Sequence, residues 1–114
     1  MRSSLRATLA LLAALALGVL MAVGPAPLAQ AATRYYVSIS DFSFQPQDLS
    51  VKPGDTVVWT NADNVKHTTT SDSGAWDSGL LAKGQSFSET FTTAGTYTYH
   101  CTPHPFMTGS IEVG

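Results

Sequence analysis

Beyond residue 33 the hydrophobic and polar positions alternate with a period of two, which is the spacing of half-buried strands. Between Arg34 and Phe42, the side chains of Tyr35, Val37 and Ile39 share one face, with Ser38 and Ser40 on the other. Phe42, Phe44 and Pro46 lead the chain off that strand, and Leu49 and Val51 predict a short second one. Pro53-Gly54-Asp55 is a turn, because proline presets its own φ and glycine accepts positive φ. Thr56 to Asn61 predicts a third strand, Val57 and Trp59 on one face and Val58 on the other. Asn61 to Lys66 is a polar loop, and His67 opens a threonine-rich strand running through Thr70.

Residues 71–84 are rich in Ser, Asp and Gly and predict a long irregular connection, pinned to the core by Trp76, Leu80 and Leu81. Ser86 to Thr92 returns to alternation with Phe87 and Phe91 in phase; Glu89 shares that phase, which requires a bulge or an edge position. Thr93-Ala94-Gly95 turns into Thr96 to Cys101, where Tyr97, Tyr99 and Cys101 face one way and His100 the other. Ser110 to Val113 closes the chain. Seven to eight short strands without helical periodicity predict an all-β Greek-key β-sandwich, a single domain over residues 32–114.

The start of the chain changes how the composition is read. Arg2 and Arg6 precede an apolar run from Ala7 to Val23, and Ala29-Gln30-Ala31 follows, the order of a secretory signal peptide cleaved after Ala31. The rival reading, an uncleaved anchor, is disfavoured by Pro25 and Pro27 directly after the run. The expected mature chain carries four basic residues (Arg34, Lys52, Lys66, Lys83) against eight acidic ones, which leaves a net charge of −4. That balance argues against nucleic acid and anionic membranes as partners. Exported domains this small usually contain paired cysteines, yet Cys101 is alone, so no internal disulfide exists.

Cys101 has informative neighbours. In Cys101-Thr102-Pro103-His104-Pro105-Phe106-Met107 a thiol, an imidazole and a thioether recur at every third position. Taken singly, each has a plainer reading: a buried inert thiol, a loop histidine, a packing methionine. Together they form a soft donor set, and thiolate, thioether and imidazole suit copper in both oxidation states. A trigonal site needs one more imidazole, and His67 is the candidate; strand alternation turns His100 away from Cys101. Zinc would accept His and Cys but leave the thioether without a purpose. Pro103 and Pro105 fix their own φ and restrict Thr102 and His104, so the loop dictates where its donors sit. Pro103 has no N–H to give the Cys101 sulfur, which leaves the backbone N–H of Thr68 as the expected donor.

The chain resembles the cupredoxins. The resemblance is carried by Pro46-x-x-Leu49-x-Val51, by Gly54-Asp55-Thr56-Val57-x-Trp59-x-Asn61, by His67-Thr68, and by Gly95-Thr96-Tyr97-x-Tyr99-x-Cys101. The short loop from Cys101 to Met107 is similar to that of the amicyanin branch, more so than to that of the plastocyanins. The resemblance implies one type 1 copper held by His67, Cys101 and His104, with Met107 as weak axial ligand. It implies a monomeric one-electron carrier in the periplasm or secreted, without stable membrane insertion and without enzymatic activity of its own. Redox partner proteins follow: a c-type cytochrome as acceptor and, from the amicyanin branch, a methylamine dehydrogenase as donor. The expected mature chain has little room for the extra N-terminal segment of amicyanins, which weakens that last implication. The alternative is copper storage, delivery or sensing. Many cupredoxins carry asparagine directly after the first histidine, and its side chain ties the two ligand loops together; Thr68 stands there instead, leaving the tie to Thr102 open.

Overall fold

The alternation is realised as eight short strands: β1 (Arg34–Ser40), β2 (Ser43–Gln45), β3 (Asp48–Val51), β4 (Asp55–Asn61), β5 (Thr70–Ser71), β6 (Ser86–Phe91), β7 (Gly95–His100) and β8 (Thr108–Val113). The computed structural model describes residues 24–25 and 31–114; apart from Gly24, Pro25 and Ala31, the expected signal peptide lies outside them. Among the described residues no helix is long and apolar enough to cross a membrane.

One sheet has the order β2-β1-β4-β6 and the other β3-β8-β7-β5. The chain changes sheet at most of its connections, so β1 pairs with β4 and β3 with β8 in parallel, while the hairpins β1–β2 and β7–β8 are antiparallel. The inward phase of each strand fills the space between sheets: Val37 and Ile39 from β1, Val57 and Trp59 from β4, Tyr99 from β7, Ile111 and Val113 from β8. Aromatic rings dominate that layer. Trp59 stacks on Trp76 at 5.6 Å and meets Tyr99 edge-on at 5.5 Å. Burial pushes the Tyr99 phenol up to about 12.

Four expectations need correction or completion. The first strand stops at Ser40, where Asp41 and Phe42 take left-handed φ values of 52° and 54° and reverse the chain into β2. The strand expected over His67–Thr70 shrinks to Thr70–Ser71, and His67 makes only an isolated antiparallel bridge to Leu81. That bridge puts Leu81 into the core and, by alternation, its neighbour Leu80 outward; Leu80 is exposed and pins nothing, while Trp76 and Leu81 are buried. Glu89 sits opposite Val57 in unbroken register on β6, an edge strand, so the edge position and not a bulge accounts for it. Partial burial raises its carboxyl pKa, and an inward-pointing charge on an edge discourages another chain from adding there.

The turn before β4 is built by Asp55, whose carboxylate accepts the N–H groups of Thr33 (2.8 Å) and Lys52 (2.9 Å). Those two N–H groups hold the carboxyl below its usual range. Gly54, at φ 96°, supplies the left-handed residue the turn requires.

Candidate metal centre

β7 ends at His100, and Cys101 is the first residue beyond it. The following loop closes on itself through the backbone. The N–H of His104 donates to the carbonyl of Cys101 (3.2 Å), that of Met107 to His104 (2.9 Å), and that of Cys101 to Met107 (3.1 Å). Pro103 and Pro105 leave no amide groups to satisfy, and each lies at an exposed position of the loop. Cys101 and Met107 are buried, His104 is half-buried and Phe106 is largely exposed.

His67 reaches the same place from the connection between β4 and β5. Buried Asn61 shapes its loop, donating from Nδ2 to the carbonyls of Val65 and Leu81 (both 2.8 Å) and accepting the Asp63 N–H at Oδ1 (2.9 Å). His67 and Leu81 exchange both backbone hydrogen bonds, and the imidazole is fully buried.

Three donor atoms converge. The Nδ1 atoms of His67 and His104 lie 3.1 Å apart, and each is 3.6 Å from the Cys101 Sγ. The point equidistant from the three corners of that triangle is about 2 Å from each, the length of a metal–imidazole bond and slightly short of a metal–thiolate one. The donor set and its spacing therefore fit a copper ion. His67 Nε2 lies 2.8 Å from Asp63 Oδ2, so the carboxylate takes the Nε2 proton as its partner and the Nδ1 lone pair faces the triangle. Burial works against ionisation of Asp63, but the N–H groups of Phe42 and Asp41 and the His67 imidazole keep its carboxyl below the usual range. His100 is not brought in: its Nδ1 pairs with Asp72 on the surface at 2.5 Å.

The sulfur accepts one N–H, from Thr68 at 3.3 Å, the donor expected from the proline at 103. The tie left open at Thr68 is also made, by its hydroxyl. Thr68 Oγ1 accepts the N–H of Thr102 (2.8 Å), and Thr70 Oγ1, which bonds to it, reaches Thr102 Oγ1 (3.1 Å). Replacing Thr68 by valine keeps the volume and deletes the acceptor, stranding the Thr102 amide. A loss of about 1 kcal/mol is expected, lowering Tm by roughly 4–8 °C; an unchanged melt of the metal-free protein would show that the tie carries no load.

Two residues at the centre escaped sequence reasoning. Asp63 stands four before His67 in a polar loop, a spacing that could have been read as an imidazole partner. Phe42 meets both imidazoles edge-on, at 5.2 Å from His67 and 5.1 Å from His104, and nothing local in the sequence announces that.

A β-sandwich that presents one buried thiol and two imidazoles at bond-forming distances at one end defines a copper-binding protein. Residues 31–114 match the model of the copper binding proteins of the plastocyanin/azurin family, and the chain belongs to that family. It is 43% identical over 82 residues to an amicyanin of Paracoccus denitrificans, covering 68% of this chain and 63% of the relative. It is 39% identical over 106 residues to amicyanin-alpha of Methylorubrum extorquens, covering 89% and 86%. A plastocyanin of Scenedesmus fuscus is 37% identical over 83 residues, covering 61% and 85%. The chain thus spans just under two thirds of the P. denitrificans relative and most of the M. extorquens one. Among solved structures, the Cu(I) form of an amicyanin variant superposes with a TM-score of 0.68 at 39% identity, covering 76% of this chain and 86% of that one. A purple cupredoxin from Nitrosopumilus maritimus superposes at 0.65 with 29% identity, covering 70% and 99%.

Proposed function

We propose that this chain is an exported one-electron carrier that works at a single type 1 copper, held by His67, Cys101 and His104 with Met107 as axial ligand, and performs no substrate chemistry. The observation that carries the reading is the triangle of Nδ1, Nδ1 and Sγ, buried on the Cys101 and His67 sides. Copper supplies the one-electron chemistry; the protein's task is to hold the donors so that little moves when the charge changes. Three backbone hydrogen bonds inside the loop, two prolines, the Thr68 hydroxyl tie and the Asp63–His67 pair all serve that task. A single N–H on the sulfur leaves electron density there, which favours Cu(II) and a lower potential.

Electrons enter and leave at His104, the half-buried member of the triangle. Phe106, exposed at 72%, and Phe42, exposed at 42%, flank it with apolar surface suited to brief docking. The partners in this reading are redox proteins met outside the cytoplasm by a monomeric carrier: a c-type cytochrome as acceptor and a dehydrogenase such as methylamine dehydrogenase as donor. The amicyanin relatives and the acidic balance of the mature chain support it.

The test is spectroscopic and kinetic. Copper-loaded protein is expected to show an intense thiolate-to-Cu(II) band that bleaches reversibly, to exchange electrons rapidly with a c-type cytochrome, and to release copper slowly to a chelator. Rapid copper release with slow electron exchange would favour storage or delivery instead.

A further inference from the structure

The turn between β1 and β2 places two consecutive non-glycine residues, Asp41 and Phe42, at left-handed φ. Residues with a Cβ enter that region reluctantly and stay only where the surroundings overdetermine them. Here the determinant is one side chain: Asp63 Oδ1 accepts the Asp41 N–H at 2.8 Å, and Oδ2 accepts the Phe42 N–H at 3.0 Å. The same Oδ2 partners His67 Nε2. One carboxylate therefore fastens the turn and the imidazole to each other.

That fastening fixes where the Phe42 ring lies. It stands at 86° to the His67 ring and 87° to the His104 ring, and nearly parallel to Phe106 at 6.4 Å and 25°. Edge-to-face geometry is attractive and directional, because the positive rim of one ring meets the negative face of the other. Phe42 does not belong to the buried core of the sandwich. Its ring is given over to the two imidazoles and to Phe106.

We propose that Phe42 is a positioning residue of the copper centre: its ring braces both imidazoles in their ligating orientation and screens them from small competing ligands, and Asp63 locks it there. The proposal rests on the ligand set given above. It concerns residues of this chain that touch the donors without being donors.

The test compares wild type with Phe42→Ala, Phe42→Leu, Phe42→Tyr and Asp63→Ala. Each copper-loaded protein is mixed with a chelator to follow copper loss, and separately titrated with imidazole while its visible and electron paramagnetic resonance spectra are recorded. Phe42→Ala is expected to lose copper roughly ten-fold faster than wild type and to accept added imidazole. Phe42→Tyr, which keeps the ring, should behave as wild type, and Asp63→Ala should move both readouts in the direction of Phe42→Ala. The metal-free melts show whether each variant folds. Should Phe42→Ala not fold, Phe42→Leu, which keeps apolar volume without a ring, gives the same comparison. A folded variant lacking the ring that loses copper at the wild-type rate and ignores imidazole overturns the proposal. A wild type that never turns blue refutes the ligand set instead, so the two failures are told apart.

Discussion

Cys101→Ser is expected to bleach the Cu(II) protein and to weaken copper binding by more than about 100-fold. That figure is the upper end of what removing a mere partner of a ligand costs, and in the proposed site Cys101 is a ligand itself. The intense band of such centres belongs to the thiolate, and serine oxygen is too hard and too weakly ionised to replace it. The fold should survive, because serine is nearly isosteric and its oxygen can accept the Thr68 N–H that now points at the sulfur. Competitive titration against a chelator, with the visible spectrum recorded alongside, measures both effects. A variant that stays blue would show that the sulfur is not bound to the metal, and the triangle at the end of the sandwich would need another explanation.

Gly109→Ala is expected to cost about 3 kcal/mol, at the upper end for overpacking, and to lower Tm by well over 10 °C. Gly109 faces Tyr99 across the β7–β8 pair. A Cβ there would lie 2.4 Å from Tyr99 Cζ and 2.5 Å from its hydroxyl. The ring is fully buried against Phe44, Trp59 and Trp76, which resist its displacement. The glycine is needed for space and not for an unusual φ, so Tyr99→Leu should recover part of the loss in the double variant. Thermal melts of the metal-free proteins provide the check. A single variant as stable as wild type would mean that the rings can repack.

The strands that carry alternating apolar residues could be read from the sequence because burial on one face leaves a period-two record. That record places Val57 and Trp59, Tyr97, Tyr99 and Cys101 on the faces where the structure puts them. β2 was illegible because three residues, Ser43-Phe44-Gln45, are too few to show a period, and because the left-handed pair before them is imposed by a carboxylate some twenty positions away. Leu80 was misplaced since apolar character says that a residue can be buried, not which of two neighbours the backbone turns inward. His67, Cys101 and His104 were legible as a group because few folds place a thiol, two imidazoles and a thioether in such spacing without purpose. The Thr68 hydroxyl tie could not be foreseen from the absence of asparagine, since a hydroxyl one residue after His67 reaches the same amide.

The short loop beyond Cys101 has one further consequence. Three backbone hydrogen bonds close it on itself, Thr68 and Thr70 hold its first two residues, and the pair His100–Thr108 seals the hairpin directly beneath it. Between those two positions Cys101 and Met107 are sunk into the core, while Pro103, Pro105 and Phe106 stand exposed. Only the exposed part between those anchors is open to change: residues inserted after Pro105 would shift His104 and Met107 against each other while the register below stays as it is, so the scaffold could vary its rim without first having to learn to fold again.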